Sequence, residues 1–275
     1  MQAVSGQEIS KKLISKLKKR VPIDKKLVVV QVGTYPISLN FIKEKENVAK
    51  SLGLSFRVMN FASDIPEDEL ISEVSSLGAS NDVGGIVIQL PLPEKINKHM
   101  VLTAVPEEKD VDVLGRDALG MFYVGKSKVL PPAIGVVEEL AKLYKIDWQH
   151  SIVAVVGFGF LIGRPVATWL LGVAKEVIVI DSKRDIKDIK DADVVISGVG
   201  KAGIIMPEML KPGASVIDFG YSFHNGKMLG DFSPPKLKTK NLELKTNFYT
   251  PTPGGTGPIL VSKLFENFYK LNENS

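Results

Sequence analysis

The sequence predicts an α/β protein built from two α/β domains, and three observations carry that expectation. The first third alternates apolar strand-like runs with amphipathic helical patterns, as a parallel sheet with helical crossovers requires. A second strand–helix series starts at Ile152 and opens on a glycine-rich turn. A chain of 275 residues is long enough for two cores of ordinary size.

In chain order, Ser5 to Glu8 has the S-x-x-E form of a capping box, followed by Ile9, Leu13 and Leu17 on one helix face. Lys26–Val32 (KLVVVQV) is a continuous apolar run, as for a strand covered on both sides. A helix over Tyr35–Leu54 follows, then a strand at Phe56–Phe61, a helix at Pro66–Leu77 and a strand at Gly85–Leu90 that stops at Pro91-Leu92-Pro93. Between Val113 and Val129 the pattern weakens, and interspersed glycines suit a short ribbon. Pro131-Pro132 opens a helix to about Tyr144, expected to connect the domains. Ile152–Val156, Glu176–Ile180, Asp193–Ser197 and Ser215–Phe219 are four further strands. The last helix, Pro258–Tyr269, carries Ile259, Leu260, Leu264, Phe265 and Phe268 at helical spacing.

Composition narrows the chemistry. Hydrophobic residues make up 44% and charged residues 24%, ordinary for a globular protein. The net charge of +4 is spread over short lysine runs, Lys11–Lys19 and Lys236–Lys240, which suit solvated faces. No basic element with interleaved aromatics stands out, so no nucleic-acid partner is expected, whereas small anionic substrates fit. The absence of cysteine excludes disulfides, thiolate metal sites and cysteine nucleophiles. His99, His150 and His224 lack metal-ligand spacing, so no metal is expected. The opening MQAVSGQEISKKL has no secretory core, and a cytoplasmic protein is expected. Ile152–Ala174 approaches bilayer-spanning length with Arg164 as its only charge. Gly157, Gly159, Gly163 and Pro165 interrupt it, so a strand, turn and helix fit better than a membrane span.

Lys45 is the unusual residue of the second helix. Phe41, Val48 and Leu52 share its face, while Lys43, Glu46, Asn47 and Lys50 lie opposite. An isolated lysine there ordinarily lays its methylene stem on apolar surface and keeps its ammonium in water. The alternative is a desolvated lysine with a lowered pKa, able to exchange protons near neutral pH. Helix position alone leaves both open. Gln89 stands at a strand end before prolines, where α/β sheets place ligand contacts, and its amide can accept from an ammonium. Lys109-Asp110-Val111-Asp112 places two carboxylates on one side of an extended segment, as a surface turn also would.

The strand IVAVV runs into Gly157, Phe158, Gly159, Phe160, Leu161, Ile162 and Gly163, then Arg164 and Pro165. Glycines let the backbone approach a pyrophosphate held on the N–H groups of the following helix. The spacing has one residue more than G-x-G-x-x-G, but a second strand ends at Asp181, as a dinucleotide site expects. Asp181 would bond a free ribose diol and favour NAD, whereas Ser182, Lys183 and Arg184 would hold a ribose phosphate and favour NADP. In PTPGGTGP, Gly254 and Gly255 permit either close ligand approach or a plain linking turn.

Taken in order, VGTYPISLNFIKEK, QLPLP, KDVD, GFGFLIGRP, SGVGKAG, KPGASVIDFG and PTPGGTGP resemble the bifunctional methylenetetrahydrofolate dehydrogenase/methenyltetrahydrofolate cyclohydrolase family. The resemblance implies an N-terminal folate domain completed by the C-terminal helix (1–118 plus 257–275), an inserted Rossmann-type nucleotide-binding domain (119–256) and an active-site cleft between them. It further implies a homodimer joined through the nucleotide domains and a tetrahydrofolate substrate.

The implied cofactor is NADP, with NAD as the alternative carried by Asp181. Lys45 then matches the catalytic lysine, Gln89 the glutamine that tunes it, and Asp112 the aspartate that recognises the pterin. Phe41, Gly254 and Gly255 fall on substrate-side positions. Gly157, Phe158, Gly159, Gly163, Ser182, Lys183, Arg184 and Tyr221 fall on the cofactor side. The chain departs from the family at Phe41 (usually tyrosine), Val113 (usually glycine), Leu260 (usually threonine), the pair Phe158-Gly159 (usually Arg-Ser) and LPPAIG. The missing loop arginine adds to the case for NAD.

The implied activity is oxidation of methylenetetrahydrofolate followed by hydrolysis of the methenyl product to formyltetrahydrofolate. A dehydrogenase without the hydrolase step, and a catalytically weak dinucleotide- or folate-binding protein, are the alternatives. A small hydroxy-acid dehydrogenase fits less well, because no histidine lies near these motifs.

Overall fold

The computed structural model describes residues 2–234 and 247–273, so the lysine run at 236–240 lies outside the described residues. In chain order the elements are β1 (Gln2–Ala3), α1 (Gly6–Leu17), β2 (Lys26–Val32), α2 (Pro36–Leu52), β3 (Phe56–Phe61), α3 (Glu67–Ala79) and β4 (Val83–Ile88). Then come α4 (Lys98–Thr103), α5 (Arg116–Tyr123), α6 (Pro132–Tyr144), β5 (Ile152–Val156), α7 (Gly163–Leu170), β6 (Glu176–Ile180), β7 (Val194–Ser197) and β8 (Ser215–Asp218). β9 (Ser222–His224), β10 (Lys227–Leu229), β11 (Phe248–Tyr249) and α8 (Thr256–Asn272) complete the chain. It divides into two compact units, one of residues 1–10 and 133–260 and one of 11–132 and 261–275.

The smaller unit is built on a parallel three-stranded sheet of order β3-β2-β4. From Leu27 onward β2 is buried, which is why its sequence runs apolar without alternation. Ile42 and Ala49 of α2 join the core with Leu27, Val29 and Val87, and α8 contributes Leu264, Phe265 and Phe268. Burying each of those phenylalanines stabilises the unit by roughly 1.5–3 kcal/mol. Helix α2 ends at Gly53, whose left-handed backbone (φ 70°) returns its N–H to the last turn.

The larger unit is a parallel six-stranded sheet of order β1-β11-β8-β7-β5-β6. β7 and β8 are buried throughout, and Ala154, Val156, Val195, Val216 and Phe232 pack in one core. A β9–β10 hairpin turns at Asn225-Gly226, both with positive φ, as its tight turn demands.

Three features differ from the sequence expectation. The stretch Val113–Val129 holds the helix α5 and no ribbon, because Ala118 and Phe122, one turn apart, pack with Val113 and Val129. Helix α4 is an unforeseen element, capped by the Asn97 side chain accepting from the His99 N–H at 3.1 Å. Three segments also change sides relative to the division at 118/119 and 256/257, the shortest being 257–260, which lies with the six-stranded sheet. Residues 1–10 lie in the larger unit, where β1 extends the sheet beside β11, and 119–132 lie in the smaller one, where Val129 completes the α5 cluster.

Candidate active site

Lys45, on the inner face of α2, is only 8% exposed, so its stem is not snorkelling to water. Its ammonium donates to Gln89 Oε1 at 2.9 Å. Gln89 directly follows β4, held there by its own N–H on Val30 O at 2.9 Å. Its side-chain Nε2 donates to Leu90 O at 2.9 Å, which turns the amide oxygen toward the lysine. Burial pushes the Lys45 pKa down, against the upward pull of the Asp112 and Glu44 carboxylates. Asp112 responds in the opposite sense: burial raises its pKa and the Lys45 charge lowers it. The Phe41 ring, one turn before Lys45, has its centroid 6.0 Å from Nζ. Lys45, Gln89, Asp112 and Phe41 therefore form one cluster in the smaller unit.

The segment holding Asp112 is a turn and not the extended stretch expected. Residues 107–109 form a single 3-10 turn, and Val113 takes a left-handed backbone with φ 56°. That conformation costs a β-branched residue about 1–2 kcal/mol, which explains why glycine suits the position in the resembling family. Here complete burial of the Val113 side chain against Ala118 and Val129 offsets it. Asp110 and Asp112 consequently do different things. Asp110 Oδ2 accepts the N–H groups of Leu114 at 2.9 Å and Gly115 at 2.7 Å, so it organises the loop. Burial, with the Asp112 charge beside it, pushes Asp110 up to about 6. Asn267 of α8 clamps the same turn, its Nδ2 donating to Val111 O and Leu130 O, both at 2.8 Å.

In the larger unit the strand-end loops stand in the order of the strands. The glycine loop follows β5, and the Gly157 N–H bonds Ile180 O of β6 at 2.8 Å. Gly157 is left-handed (φ 87°), and a Cβ on Gly163 would overlap the Gly157 carbonyl. Both glycines are thus required by close approach. Gly159 faces open space except for Gly198 O at 4.0 Å, and α7 begins without a side-chain cap. An open glycine backbone leading into an uncapped helix start fits a pyrophosphate. Phe158 is 45% exposed, with the Arg164 guanidinium 5.6 Å from its ring centroid and Arg164 Nε donating to its carbonyl at 3.2 Å.

After β6, Ser182, Lys183 and Arg184 are exposed. Asp181 Oδ1 accepts the Lys183 N–H at 2.9 Å, and Arg184 pairs with Asp188 at 2.7 Å. Tyr221, beyond β8, is partly exposed, and burial raises its pKa. The PTPGGTGP turn belongs to this unit too. The carbonyl of Gly254 accepts the Gly6 N–H at 2.8 Å, and a Cβ on Gly6 would overlap the Gly255 carbonyl, so the turn packs on the start of α1. Gly254 itself (φ 94°) has nothing within 4 Å of where a Cβ would stand.

Asp110, Asp218 and Asp231 are buried carboxylates to which sequence reasoning gave no individual role. A signal existed for Asp218, an acid closing the apolar strand SVID.

Comparisons with known proteins also find two domains in the chain. Residues 4–112 match the family model for the tetrahydrofolate dehydrogenase/cyclohydrolase catalytic domain, and 131–275 match that for its NAD(P)-binding domain. The chain is 34% identical over 277 residues to a bifunctional protein FolD of Hydrogenobaculum sp., covering 98% of each. It is 34% identical over 268 residues to that of an Exiguobacterium species, covering 96% of this chain and 94% of the relative. Among solved structures, the bifunctional FolD of Campylobacter jejuni superposes with a TM-score of 0.90 at 30% identity, covering 98% of both chains. The Trypanosoma brucei enzyme complexed with NADP and an inhibitor gives 0.88 at 26% identity, covering 99% of this chain and 97% of that one. With both domain models matched in order and relatives aligned over nearly the whole length, the chain belongs to the tetrahydrofolate dehydrogenase/cyclohydrolase family.

Proposed function

We propose that the protein oxidises methylenetetrahydrofolate to methenyltetrahydrofolate with NADP and hydrolyses the product to formyltetrahydrofolate, using the Lys45 cluster for the proton transfers. One observation carries the reading: a buried lysine with a lowered pKa, held by a single amide oxygen. NADP, when bound, supplies the hydride acceptor. The glycine loop with Gly163 would cradle its pyrophosphate. Ser182 and Lys183 would take the ribose phosphate, joined by Arg184, whose exposed pairing with Asp188 is worth under about 1 kcal/mol. Phe158 and Tyr221 flank the same carboxyl edge of the sheet.

In the hydrolytic step water adds to the methenyl carbon and loses a proton. The carbinol then opens to the formyl C=O as its hydroxyl proton leaves to solvent and a proton reaches the nitrogen whose bond to that carbon breaks. Neutral Lys45 is suited to take the first proton and deliver the second. Gln89 holds the amine in place, and it can do so in either protonation state because a lysine nitrogen keeps an N–H to donate. Asp112 is assigned to the pterin through paired hydrogen bonds, and the Phe41 ring to stacking beside it. Gly254 offers open backbone for ligand approach, while Gly255 secures the turn. We further infer a cytoplasmic homodimer; among the described residues no helix is long and apolar enough to cross a membrane.

Phe41 favours a second reading, a dehydrogenase without the hydrolase step, because a hydroxyl is missing one turn from Lys45. Absorbance of reduced nicotinamide with methylenetetrahydrofolate, run with NADP and NAD in parallel while formyltetrahydrofolate is quantified, separates the readings. Reduction of NADP with formyl product is expected. Accumulation of methenyltetrahydrofolate would select the second reading, and no reduction of either nucleotide would refute both.

A further inference from the structure

Asp218 and Asp231 form a buried ionisable pair that the proton chemistry above leaves unused. Asp218 ends β8 and Asp231 follows the β9–β10 hairpin, and both are under 2% exposed. Burial and then the nearby Asp231 charge push Asp218 up to about 7. Buried carboxylates persist only where donors satisfy them. Asp231 Oδ2 accepts the Ser197 hydroxyl at 2.6 Å and the Val199 N–H at 2.7 Å, and its Oδ1 accepts the Lys201 N–H at 2.7 Å. Asp218 Oδ1 accepts the Gly220 N–H at 2.7 Å, and its Oδ2 accepts the Phe232 N–H at 2.9 Å. The fit is close, since a Cβ on Gly220 would overlap the Asp231 carboxyl. The two loops also meet, a Cβ on Gly200 falling 3.3 Å from Tyr221 O.

Those loops, 198–201 and 219–221, stand at the carboxyl ends of β7 and β8. In the order β8-β7-β5-β6, the glycine loop follows β5 and Ser182–Arg184 follow β6. A dinucleotide with its pyrophosphate on the glycine loop and its adenosine ribose at the end of β6 extends its other half over β7 and β8. We propose that Asp231 is a positioning residue for the nicotinamide half of the dinucleotide, setting the backbone of loop 198–201 through its bonds from the Val199 and Lys201 N–H groups, with the Ser197 hydroxyl at the end of β7 steadying the carboxylate. The proposal rests on the dinucleotide reading of the glycine loop.

The test is calorimetric titration of wild type and Asp231→Asn with NADP and with 2′-phospho-ADP-ribose, which lacks nicotinamide. Amide hydrogen exchange is followed in the cofactor-free protein. Asparagine offers one oxygen where the carboxylate uses two, so the Val199 or Lys201 N–H loses its acceptor. The Kd for NADP should rise about tenfold, equivalent to about 1.4 kcal/mol, while the fragment binds as it does to wild type. Exchange should quicken at 198–201 by about tenfold and hold at 157–163. Ser197→Ala removes one donor and keeps both N–H bonds, so it serves if Asp231→Asn does not fold; the same pattern is expected at about two- to threefold. Equal weakening of both ligands, or weakening of neither, overturns the proposal. A wild-type protein that binds neither ligand refutes the dinucleotide reading itself.

Discussion

In the smaller unit a buried ammonium, Lys45, meets one amide oxygen and the field of a neighbouring carboxylate. In the larger unit two buried carboxylates, Asp218 and Asp231, meet backbone N–H groups and a serine hydroxyl. Both clusters sit at strand ends, and both satisfy groups that would be costly to bury alone. The difference lies in what the donors and acceptors belong to. Gln89 occupies one direction around the lysine nitrogen, and opposite charge stands nearby, so protonation can change without unpicking backbone. Asp231 accepts two backbone N–H groups of one loop and the hydroxyl of Ser197 at the strand end before it, so its charge is tied to the position of that loop. A side-chain partner leaves protons mobile; backbone partners make a carboxylate into a strut.

Replacing Lys45 by methionine breaks the comparison at its strongest point. The volume is kept and the desolvated charge is removed, so folding stability should hold or improve. Hydrolysis of methenyltetrahydrofolate should fall by about 10²–10⁴-fold, the range of a lost general acid–base group, with NADP binding intact. Wild-type hydrolysis in this variant would remove Lys45 from the mechanism.

Asp110 brings the second kind of carboxylate into the smaller unit, two residues from Asp112. Its folded pKa, about 6, is raised above the ordinary 3.8. Its stabilising contribution is therefore complete below about pH 4 and lost as pH rises through about 6, to a limit of about 3 kcal/mol at about 1.4 kcal/mol per pH unit. Both N–H bonds, from Leu114 and Gly115, fall on one oxygen, Oδ2, and can be kept by an asparagine carbonyl. Asp110→Asn should thus gain on wild type between pH 4 and 6 and run parallel to it above. Equilibrium denaturation across that range checks this, and parallel curves throughout would deny Asp110 the role of a charged strut.

The smallest expected effect is at Phe41. Phe41→Tyr adds a hydroxyl one turn from Lys45, worth a single hydrogen bond of about 1 kcal/mol, so hydrolysis should rise roughly two- to tenfold with substrate affinity held. A collapse of both activities would mean that the cluster is fitted to the phenyl ring itself.

What was legible beforehand had local causes. The face carrying Lys45, the strand end at Gln89 and the strand–glycine–helix sequence at 152–165 follow from periodicity and backbone freedom. Helix α5 was hidden by Gly115, Gly120 and Gly125, which weaken its pattern, although Ala118 and Phe122 supply its packing. The clamp of Ser197 and Val199 on Asp231 joins groups more than thirty residues apart, which no local pattern records. Val113 shows the same limit, since its left-handed backbone is tolerable only because α5 and Val129 enclose its side chain.

By itself, then, the sequence determined the parallel α/β elements, the strand–glycine–helix turn at 157–163, the apolar face around Lys45 and the strand end at Gln89, because each depends on neighbours along the chain. The bond between Lys45 and Gln89, 44 residues apart, does not. Tertiary structure decided which charges are buried and what meets them. The Lys45 pKa falls because burial outweighs the pull of Asp112 and Glu44, as the proposed proton transfer requires, and Asp231 is held because N–H groups distant in the chain converge on it. Desolvation is set by everything that surrounds a group, and most of that surrounding arrives from elsewhere in the chain.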